Sequence, residues 1–347
     1  MSVNPLQTTE IGETGLRVTR LGFGGAAIGG IYTEVPQDEA VQSVLRAFQL
    51  GVRYFDTAPQ YGHGRSEGYL GQALPGVPRD AYVLSTKVGR VLQPVDATKD
   101  MGPSPFVNPP PFVPVYDFSR DGVLRSLEES LQRLNLDRVD ISLIHDPDEG
   151  ESVSATNFGQ PIHYRQVLEE AYPTLAELRS QGVVKAIGVG MNQWQALARF
   201  AKDADFDCFL LAGRYTLLDQ SALAELLPLC ERRRISVILG GPYNSGILAS
   251  DLSSGTHYFY GEAPPDVLER AREIRSVCDR HRVPLKAAAL QFGLAHPAVV
   301  ATIPGARSVS EVEDNFAMVE FPIPLQLWDE LRDERLIPDN APVPTPI

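Results

Sequence analysis

Cysteine is scarce in this sequence, and the cysteines present do not form a recognisable pair. The 347 residues include 3 cysteines, Cys208, Cys230 and Cys278, without a Cys-x-x-Cys motif. An odd number of widely spaced cysteines argues against both a disulfide framework and a zinc site. We therefore expect free thiols that are buried or half-buried in the fold.

Long apolar runs and an excess of positive charge are also missing. No segment approaches the roughly 18 apolar residues that a membrane span needs, and residues 1–5 lack the basic stretch and apolar core of a signal peptide. Lys and Arg number 31 against 44 Asp and Glu, a formal net charge of −13. A surface this acidic repels nucleic acid and anionic lipid. We expect a cytoplasmic protein with a small-molecule partner and neither a nucleic-acid nor a membrane partner. The sequence does not determine its oligomeric state.

Strand and helix patterns alternate along most of the chain. Apolar residues at helical spacing separate the runs that are typical of strands, and this alternation predicts parallel strands with crossover helices. The strands are predicted to start at Arg20, Tyr54, Tyr82, Val139, Ala186, Phe206, Ser236 and Val299. Eight such units close naturally into an α/β fold of the (β/α)8 TIM barrel type, and we expect residues 1–347 to form one domain.

Shorter signals add detail to this barrel. Glu13-Thr14-Gly15 is typical of a hairpin turn between two short strands, Asp38 is predicted to cap the first helix, and a long amphipathic helix is predicted to open at Ser119. Residues 91–117 and 244–263 interrupt the alternation. Long connections without regular structure are commonly functional lids. Both follow strand ends on one side of the barrel, so we expect them to form walls of a substrate pocket.

Polar side chains follow the predicted strands at that same side. Asp56, Tyr61, Lys87 and His145 each come just after an apolar run, so they should converge on one mouth of the barrel. A tyrosine, with an ordinary pKa near 10, is a poor acid or base unless a cation stabilises its phenolate. Lys87 is that cation, Asp56 holds its charge in place, and His145 orients a substrate oxygen. The set suits proton transfer coupled to hydride transfer with a cofactor.

The motifs around these residues resemble those of the aldo-keto reductases, over residues 16–315. They are Gly51-Val52-Arg53-Tyr54-Phe55-Asp56-Thr57-Ala58, Tyr61-Gly62-His63-Gly64-Arg65-Ser66-Glu67, Ser85-Thr86-Lys87, Leu143-Ile144-His145, Gly188-Val189-Gly190-Met191-Asn192 and Ile303-Pro304-Gly305. The resemblance implies a barrel closed below by the N-terminal β-hairpin, long loops at the C-terminal face, a nicotinamide cofactor and the Asp, Tyr, Lys and His tetrad. Residues 212–219 resemble the branch that holds D-threo-aldose 1-dehydrogenases, also called L-fucose dehydrogenases, and the similar pyridoxal 4-dehydrogenases.

The resemblance also implies a set of residues that bind the cofactor. They are Gly25, Asp56, Met191, Asn192, Tyr215, Gly241, Pro242, Tyr243, Ser245, Gly246, Ile303, Gly305, Arg307, Glu311, Asp314 and Asn315. Asn192 would hold the nicotinamide carboxamide, whereas Met191 offers only backbone or apolar contact. Gly240 stands where relatives have an aromatic residue that stacks on the nicotinamide, and we expect Tyr215 to contribute to that wall.

The adenosine end of this set bears on the choice between NAD and NADP. NADP-preferring relatives place lysine and arginine where this chain has Gly305 and Glu311. A carboxylate at Glu311 would repel a ribose 2′-phosphate and could accept a hydrogen bond from a 2′-hydroxyl, which predicts NAD. Arg307 leaves NADP possible. Residues 22–27 also fit a dinucleotide fingerprint, but the strand–turn–helix context that a Rossmann site needs is missing.

Three functional hypotheses follow. The first is NAD-dependent oxidation of a lactol, such as L-fucose or another D-threo-aldose, to a lactone, with pyridoxal as an alternative substrate of the same machinery. The second is an NADPH-dependent carbonyl reductase that runs the tetrad in reverse. The third is a nucleotide-sensing binding subunit, as in channel-associated relatives, and it predicts cofactor binding without turnover.

Overall fold

Eight parallel strands form the centre of the fold. The computed structural model describes residues 3–96, 104–147, 163–253 and 255–345. The central strands are β3 (Phe23–Gly24), β4 (Tyr54–Asp56), β5 (Val83–Val88), β8 (Ile141–His145), β9 (Ala186–Met191), β10 (Cys208–Ala212), β11 (Ser236–Gly240) and β14 (Val299–Ile303). Each strand pairs in parallel with the next one in this order. Parallel bridges from Leu21 to Thr302 and from Gly24 to Gly305 join the first strand to the last. The prediction of a (β/α)8 barrel is confirmed.

Helices surround this barrel and follow its strands. They are α1 (Gln37–Gln49), α2 (Arg65–Ala73), α3 (Arg120–Leu134), α4 (Tyr164–Gln166), α5 (Tyr172–Ser180), α6 (Trp194–Asp203), α7 (Leu226–Arg233), α8 (Pro265–Arg280), α9 (Leu285–Leu294), α10 (Val309–Glu320) and α11 (Leu325–Asp333). A π-helical turn, Val167–Ala171, joins α4 to α5. Their apolar faces pack with the outward side chains of the strands in one large core.

The two predicted helix starts have different outcomes. The prediction that a helix opens at Ser119 is confirmed, and the Ser119 hydroxyl caps α3 by accepting a hydrogen bond from the Gly122 backbone N–H. The prediction for Asp38 is wrong, because α1 begins at Gln37 after Pro36 and no side chain caps it. Asp38 lies in the first turn instead, where a negative charge complements the helix dipole.

The N-terminal hairpin closes the lower end of the barrel. β1 (Thr8–Glu10) and β2 (Arg17–Thr19) pair antiparallel on either side of the predicted turn. Ile11, Leu16 and Val18 are buried against inward-facing barrel side chains such as Tyr54 and Ile141. The hairpin therefore keeps water from the lower end of the barrel core, and the prediction of a hairpin cap is confirmed.

Both connections that were predicted to lack regular structure contain a short antiparallel ladder. β6 (Arg90–Pro94) pairs with β7 (Phe112–Tyr116), and β12 (His257–Tyr258) pairs with β13 (Gly261–Glu262). The prediction is wrong for these segments; residues 97–103 and 254 lie outside the described residues. Prolines concealed the first ladder, since a two-stranded ladder tolerates a missing N–H such as that of Pro114.

The remaining expectations from composition concern thiols and membrane spans. Cys208, Cys230 and Cys278 are free and buried, as predicted. Within the described ranges, no helix is long and apolar enough to cross a membrane.

Candidate active site

The ends of three barrel strands bring the four predicted polar residues together. Asp56 and His145 are the last residues of β4 and β8, and Lys87 is the penultimate residue of β5. Tyr61 lies in the turn between β4 and α2. This turn packs closely on the loop after β3. A Cβ atom at Gly62, whose φ is +62°, would lie 2.2 Å from the carbonyl oxygen of Gly29, so only glycine permits this approach.

The ammonium of Lys87 is the centre of this cluster. Its Nζ lies 2.7 Å from Asp56 Oδ2, 2.9 Å from Tyr61 Oη and 2.9 Å from the Thr57 carbonyl oxygen. The three N–H groups of an ammonium can each donate one of these bonds. The side chains of Lys87 and Asp56 are only 1% and 2% exposed. The ammonium is thus held in one position against the phenol oxygen, where it stabilises the phenolate form.

Asp56 is buried as the counter-ion of this ammonium. Burial raises the pKa of Asp56 above its usual range, and the charge and hydrogen bond of Lys87 together with the Ser85 hydroxyl oppose that shift. Ser85 Oγ donates to Asp56 Oδ1 over 2.7 Å, and Tyr54 Oη lies 3.0 Å from Ser85 Oγ. A buried carboxylate needs such partners to stay ionised. Ser85 therefore holds one carboxylate oxygen of Asp56, Oδ1, and Lys87 holds the other, Oδ2.

His145 faces the phenol from the neighbouring side of the mouth. The rings of His145 and Tyr61 are 5.7 Å apart, centroid to centroid, and nearly perpendicular at 86°. Burial lowers the pKa of His145 well below its ordinary value, and the cationic groups of Arg90 and Lys87 lower it further. The imidazole is therefore neutral at neutral pH. A neutral imidazole still donates one N–H to a substrate oxygen.

Sequence reasoning missed a carboxylate and a guanidinium beside His145. Asp146 Oδ2 lies 3.2 Å from His145 Nε2 and 2.8 Å from the NH2 nitrogen of Arg90. Asp146 lines the same cavity as the other four residues. The signal for Asp146 was in the sequence, since it directly follows the strand-terminal histidine. Arg90 had no such signal, because it begins the ladder that the proline content concealed.

A cavity of about 850 Å³ extends from these residues across the mouth of the barrel. Its size is in the range of pockets for small molecules and cofactors. Most residues that were predicted to bind a cofactor line it: Asp56, Met191, Asn192, Gly241, Pro242, Tyr243, Ser245, Gly246, Ile303, Gly305, Arg307, Glu311 and Asn315. Chemically reactive groups at one end and hydrogen-bonding groups at the other suit an extended molecule such as a nicotinamide dinucleotide.

Hydrogen bonds tie the segments of the far end together. Tyr243 Oη donates to Asn315 Oδ1 over 2.7 Å, and Asn315 Nδ2 donates to the Gly305 carbonyl oxygen over 3.3 Å. Glu311 accepts from the Arg307 backbone N–H over 2.8 Å and from its guanidinium over 2.7 Å. Burial would raise the pKa of Glu311, but the hydrogen bonds and charge of Arg307, with a smaller effect of Lys286, lower it overall. The carboxylate and the guanidinium thus neutralise one another at this end.

Three predicted cofactor residues lie outside the cavity wall. Tyr215 lies in the helix layer, where its fully buried ring packs on Phe292 and His296, with centroids 5.4 and 5.5 Å away. Gly25 lies behind the wall, where a Cβ atom would come within 2.6 Å of Ser66 Oγ, so packing explains this glycine. Asp314 reaches the cavity only indirectly, through an ion pair with Lys286.

The two long connections both contribute to the wall, as predicted. Tyr32, from the loop after β3, stacks on His257 of the second connection with ring centroids 4.5 Å apart. The guanidinium carbon of Arg214 lies 4.3 Å from the ring centroid of Phe259. The residues that line the cavity from these connections include Ser104, Pro105, Phe106, Tyr258, Phe259 and Tyr260. Aromatic side chains from both connections therefore form part of the cavity wall.

Among the described residues, no group of three or more His, Cys, Asp or Glu side chains is placed to hold a metal ion. The site thus consists of a barrel mouth with a phenol beside a buried ammonium and a long cavity leading away from both. Such a barrel places the chain in the class of cofactor-dependent barrel oxidoreductases. The model of the aldo/keto reductase family matches residues 20–333, and the chain belongs to this family. Members use nicotinamide cofactors, and this chain is an oxidoreductase that acts on CH–OH donors.

Individual relatives agree with this assignment. Pyridoxal 4-dehydrogenase of Microbacterium luteolum is 38% identical over 346 residues, which cover 97% of this chain and 100% of the relative. D-threo-aldose 1-dehydrogenase of a Pseudomonas species is 38% identical over 328 residues, covering 93% and 96%. The holo structure of aldo-keto reductase AKR11C1 from Bacillus halodurans superposes with a TM-score of 0.72 at 23% identity, covering 94% of this chain and 96% of that one, and supports the fold.

Proposed function

We propose that this protein is an NAD-dependent dehydrogenase that oxidises the anomeric hydroxyl of a lactol, a D-threo-aldose such as L-fucose, to the corresponding lactone. The observation that carries the proposal is the position of Lys87 Nζ, 2.9 Å from Tyr61 Oη at the reactive end of the cavity. The relative named D-threo-aldose 1-dehydrogenase supports the substrate class.

The geometry of the tetrad supports the following proposed roles. Tyr61, as a phenolate stabilised by Lys87, removes the proton of the substrate hydroxyl, while Asp56 keeps Lys87 charged and in place. His145 donates a hydrogen bond to the same substrate oxygen and holds it against Tyr61. A nicotinamide bound in the cavity supplies the acceptor for the hydride that leaves the same carbon. Asn192, which lines the cavity, would hold the carboxamide.

The preference for NAD is part of the proposal and rests on Glu311. Its carboxylate pairs with the guanidinium of Arg307, a cation on the cavity wall that could otherwise bind a 2′-phosphate. A 2′-phosphate would have to displace that carboxylate and would be repelled by it, whereas a 2′-hydroxyl can donate to it. A cofactor that is mostly oxidised in cells suits the oxidation of a lactol. The cytoplasmic location proposed from composition fits such a role.

Pyridoxal is the second candidate substrate. It also closes to a cyclic hemiacetal whose oxidation gives a lactone, and a relative that is 38% identical over 97% of this chain is named pyridoxal 4-dehydrogenase. The same tetrad would perform that reaction. An NADPH-dependent carbonyl reductase would need Tyr61 as a general acid and a free cation at the adenosine end, and the pairing of Arg307 disfavours it.

Initial rates measured on the purified full chain test the proposal. NAD and NADP would each be combined with L-fucose, D-arabinose and pyridoxal, and reduction of a simple aldehyde by NADH and NADPH would be measured beside them. We expect the highest kcat/KM for an aldose with NAD. A strong preference for NADP would refute the cofactor assignment. A preference for pyridoxal would refute the aldose as the substrate and support pyridoxal in its place. Binding of NAD without turnover of any substrate would favour a nucleotide-sensing role.

A further inference from the structure

Asp146 lies in a backbone conformation that L-residues rarely adopt. Its φ is 43°, and its N–H donates to the Gly190 carbonyl oxygen over 3.0 Å. Left-handed backbone is disfavoured for residues with a side chain, although Asp tolerates it better than most. The consequence is that the chain turns directly after β8. The Asp146 side chain therefore lies next to His145 on the cavity wall and does not continue along the strand.

The carboxylate of Asp146 is held between two buried groups. Oδ2 lies 2.8 Å from the Arg90 guanidinium and 3.2 Å from His145 Nε2. The side chains of Arg90 and His145 are 7% and 5% exposed, whereas that of Asp146 is 13% exposed. Arg90 in turn lies over the ring of Tyr116, 4.8 Å from its centroid. Asp146 is thus the most accessible member of a fixed set, and its carboxylate reaches the space beside the tetrad.

The contact with His145 favours one position of the imidazole proton. A carboxylate only accepts hydrogen bonds, so an Oδ2 atom 3.2 Å from Nε2 favours the neutral form that carries its proton on Nε2. His145 Nε2 is also the atom that would reach the reacting oxygen of a substrate, which would then accept this N–H in place of Oδ2. Asp146 would lie beside that oxygen, where its carboxylate could accept a hydrogen bond from a hydroxyl on the adjacent carbon of a vicinal diol.

We propose that Asp146 is a substrate-recognition residue that accepts a hydrogen bond from the C2 hydroxyl of a cyclic aldose, and that it selects aldoses with a free hydroxyl next to the anomeric carbon. This inference rests on the proposed function. Pyridoxal has no hydroxyl on the atom next to its reacting carbon; its acidic phenol is one atom further away, and a carboxylate repels the anion of that phenol. Asp146 therefore favours an aldose over pyridoxal.

A two-by-two comparison of enzyme and substrate tests this contact. L-Fucose and 2-deoxy-L-fucose would be oxidised with NAD by the wild-type chain and by Asp146→Asn. Hydrogen bonds to charged groups are strong enough that we expect kcat/KM of the wild type to be about 10- to 100-fold higher for L-fucose. In the variant we expect this ratio to fall to about 3 or below, with the loss mainly in KM. Comparing ratios removes the effect of the C2 hydroxyl on intrinsic reactivity.

Control measurements separate recognition from structure. Asp137→Asn removes a charge from a side chain that is 84% exposed, and it should keep the wild-type ratio. Reduction of benzaldehyde by NADH, a substrate without hydroxyls, should also keep its wild-type rate in Asp137→Asn. Asp146→Glu keeps the negative charge beside Arg90 but displaces the carboxylate. Its ratio of kcat/KM for L-fucose to that for 2-deoxy-L-fucose should also fall to about 3 or below. This second variant serves if Asp146→Asn does not fold.

The outcomes distinguish the two proposals from one another. If the wild type oxidises L-fucose but its ratio is below about 3, or if both Asp146 variants keep the wild-type ratio, then Asp146 does not recognise the C2 hydroxyl and the proposed function stands. If the wild type does not oxidise L-fucose or D-arabinose with either cofactor, the proposed function fails, and the assignment of Asp146 fails with it.

Discussion

The two ends of the cavity each hold a cation beside a carboxylate, but they differ in burial. At the tetrad, Lys87 and Asp56 are 1% and 2% exposed, whereas at the adenosine end Arg307 and Glu311 are 45% and 37% exposed. Breaking a buried pair leaves an uncompensated charge in a medium of low polarity, at a cost of about 3–5 kcal/mol. An exposed pair contributes only about 0–1 kcal/mol, because water replaces the missing partner.

This difference separates two kinds of function within one cleft. The tetrad end has a geometry that the whole barrel supports, so its residues cannot be exchanged without loss of stability or chemistry. The proposed adenosine end carries charges that water can solvate, so we expect that cofactor preference can change there with little effect on the fold. The predictions that follow test this contrast, beginning with the largest expected effect.

Removal of the Tyr61 hydroxyl should have the largest effect on turnover. Tyr61→Phe deletes the oxygen that lies 2.9 Å from Lys87 Nζ, so no general base remains. We expect kcat to fall by about 10²- to 10⁴-fold. The affinity for NADH, measured by fluorescence titration, should stay within about 2-fold of the wild type. Near-normal turnover would remove Tyr61 from the mechanism.

The contrast in burial should appear directly in stability. Asp56→Asn removes the negative partner of the buried pair and should lower the free energy of unfolding by about 3–5 kcal/mol. Glu311→Gln is the matched change at the exposed pair and should cost less than about 1 kcal/mol. Urea unfolding of both variants measures these values. Equal costs at the two sites would show that burial does not distinguish them.

Glu311→Gln should also change cofactor preference. The substitution releases Arg307 from its ion pair and removes the charge that repels a 2′-phosphate. We expect the ratio of kcat/KM for NADP to that for NAD to rise about 10-fold, equivalent to about 1.4 kcal/mol. Glu313→Gln is the control, because Glu313 lies on the same helix but pairs with Arg46. A similar change in both variants would point to net charge and not to this site.

The smallest predicted effect concerns acid stability at the tetrad end. Burial lowers the pKa of His145 in the folded protein. As pH falls through about 6.5, His145 is therefore protonated in the unfolded chain but not in the folded chain. The contribution of His145 therefore destabilises the fold as pH falls below about 6.5, by at most about 1.4 kcal/mol per pH unit. Urea midpoints at pH 7, 6 and 5 should decrease less steeply for His145→Gln than for the wild type. Parallel slopes would show that His145 is protonated in the fold.

Much of the fold and the tetrad could be predicted from the sequence, for a physical reason. Strand periodicity locates the ends of β4, β5 and β8, and parallel strands bring those ends to one face whatever the details of packing. The identity of Asp56, Lys87 and His145 at those ends then suffices to predict that they converge. The cavity residues of the adenosine end came instead from motifs that resemble a known family.

Residues beyond the strand ends were harder to predict, because their direction depends on single backbone angles. Tyr215 follows β10, but Gly213, with φ of +71°, turns the chain there, and the ring lies in the helix layer. Asp146 shows the reverse case, since φ of 43° turns its carboxylate into the site. Periodicity does not reveal either angle. The ladder of β6 and β7 was missed because proline content was interpreted without its partner strand.

The pH dependence of oxidation by Lys87→Met tests the central claim most directly, namely that the ammonium of Lys87 makes Tyr61 a usable base. For the wild type, kcat/KM for L-fucose with NAD should rise with pH along an acid limb set by the phenol. Without the ammonium 2.9 Å away, this limb should move at least about one unit higher, towards the ordinary phenol value near 10. A lower plateau with the limb at an unchanged pH would contradict the account.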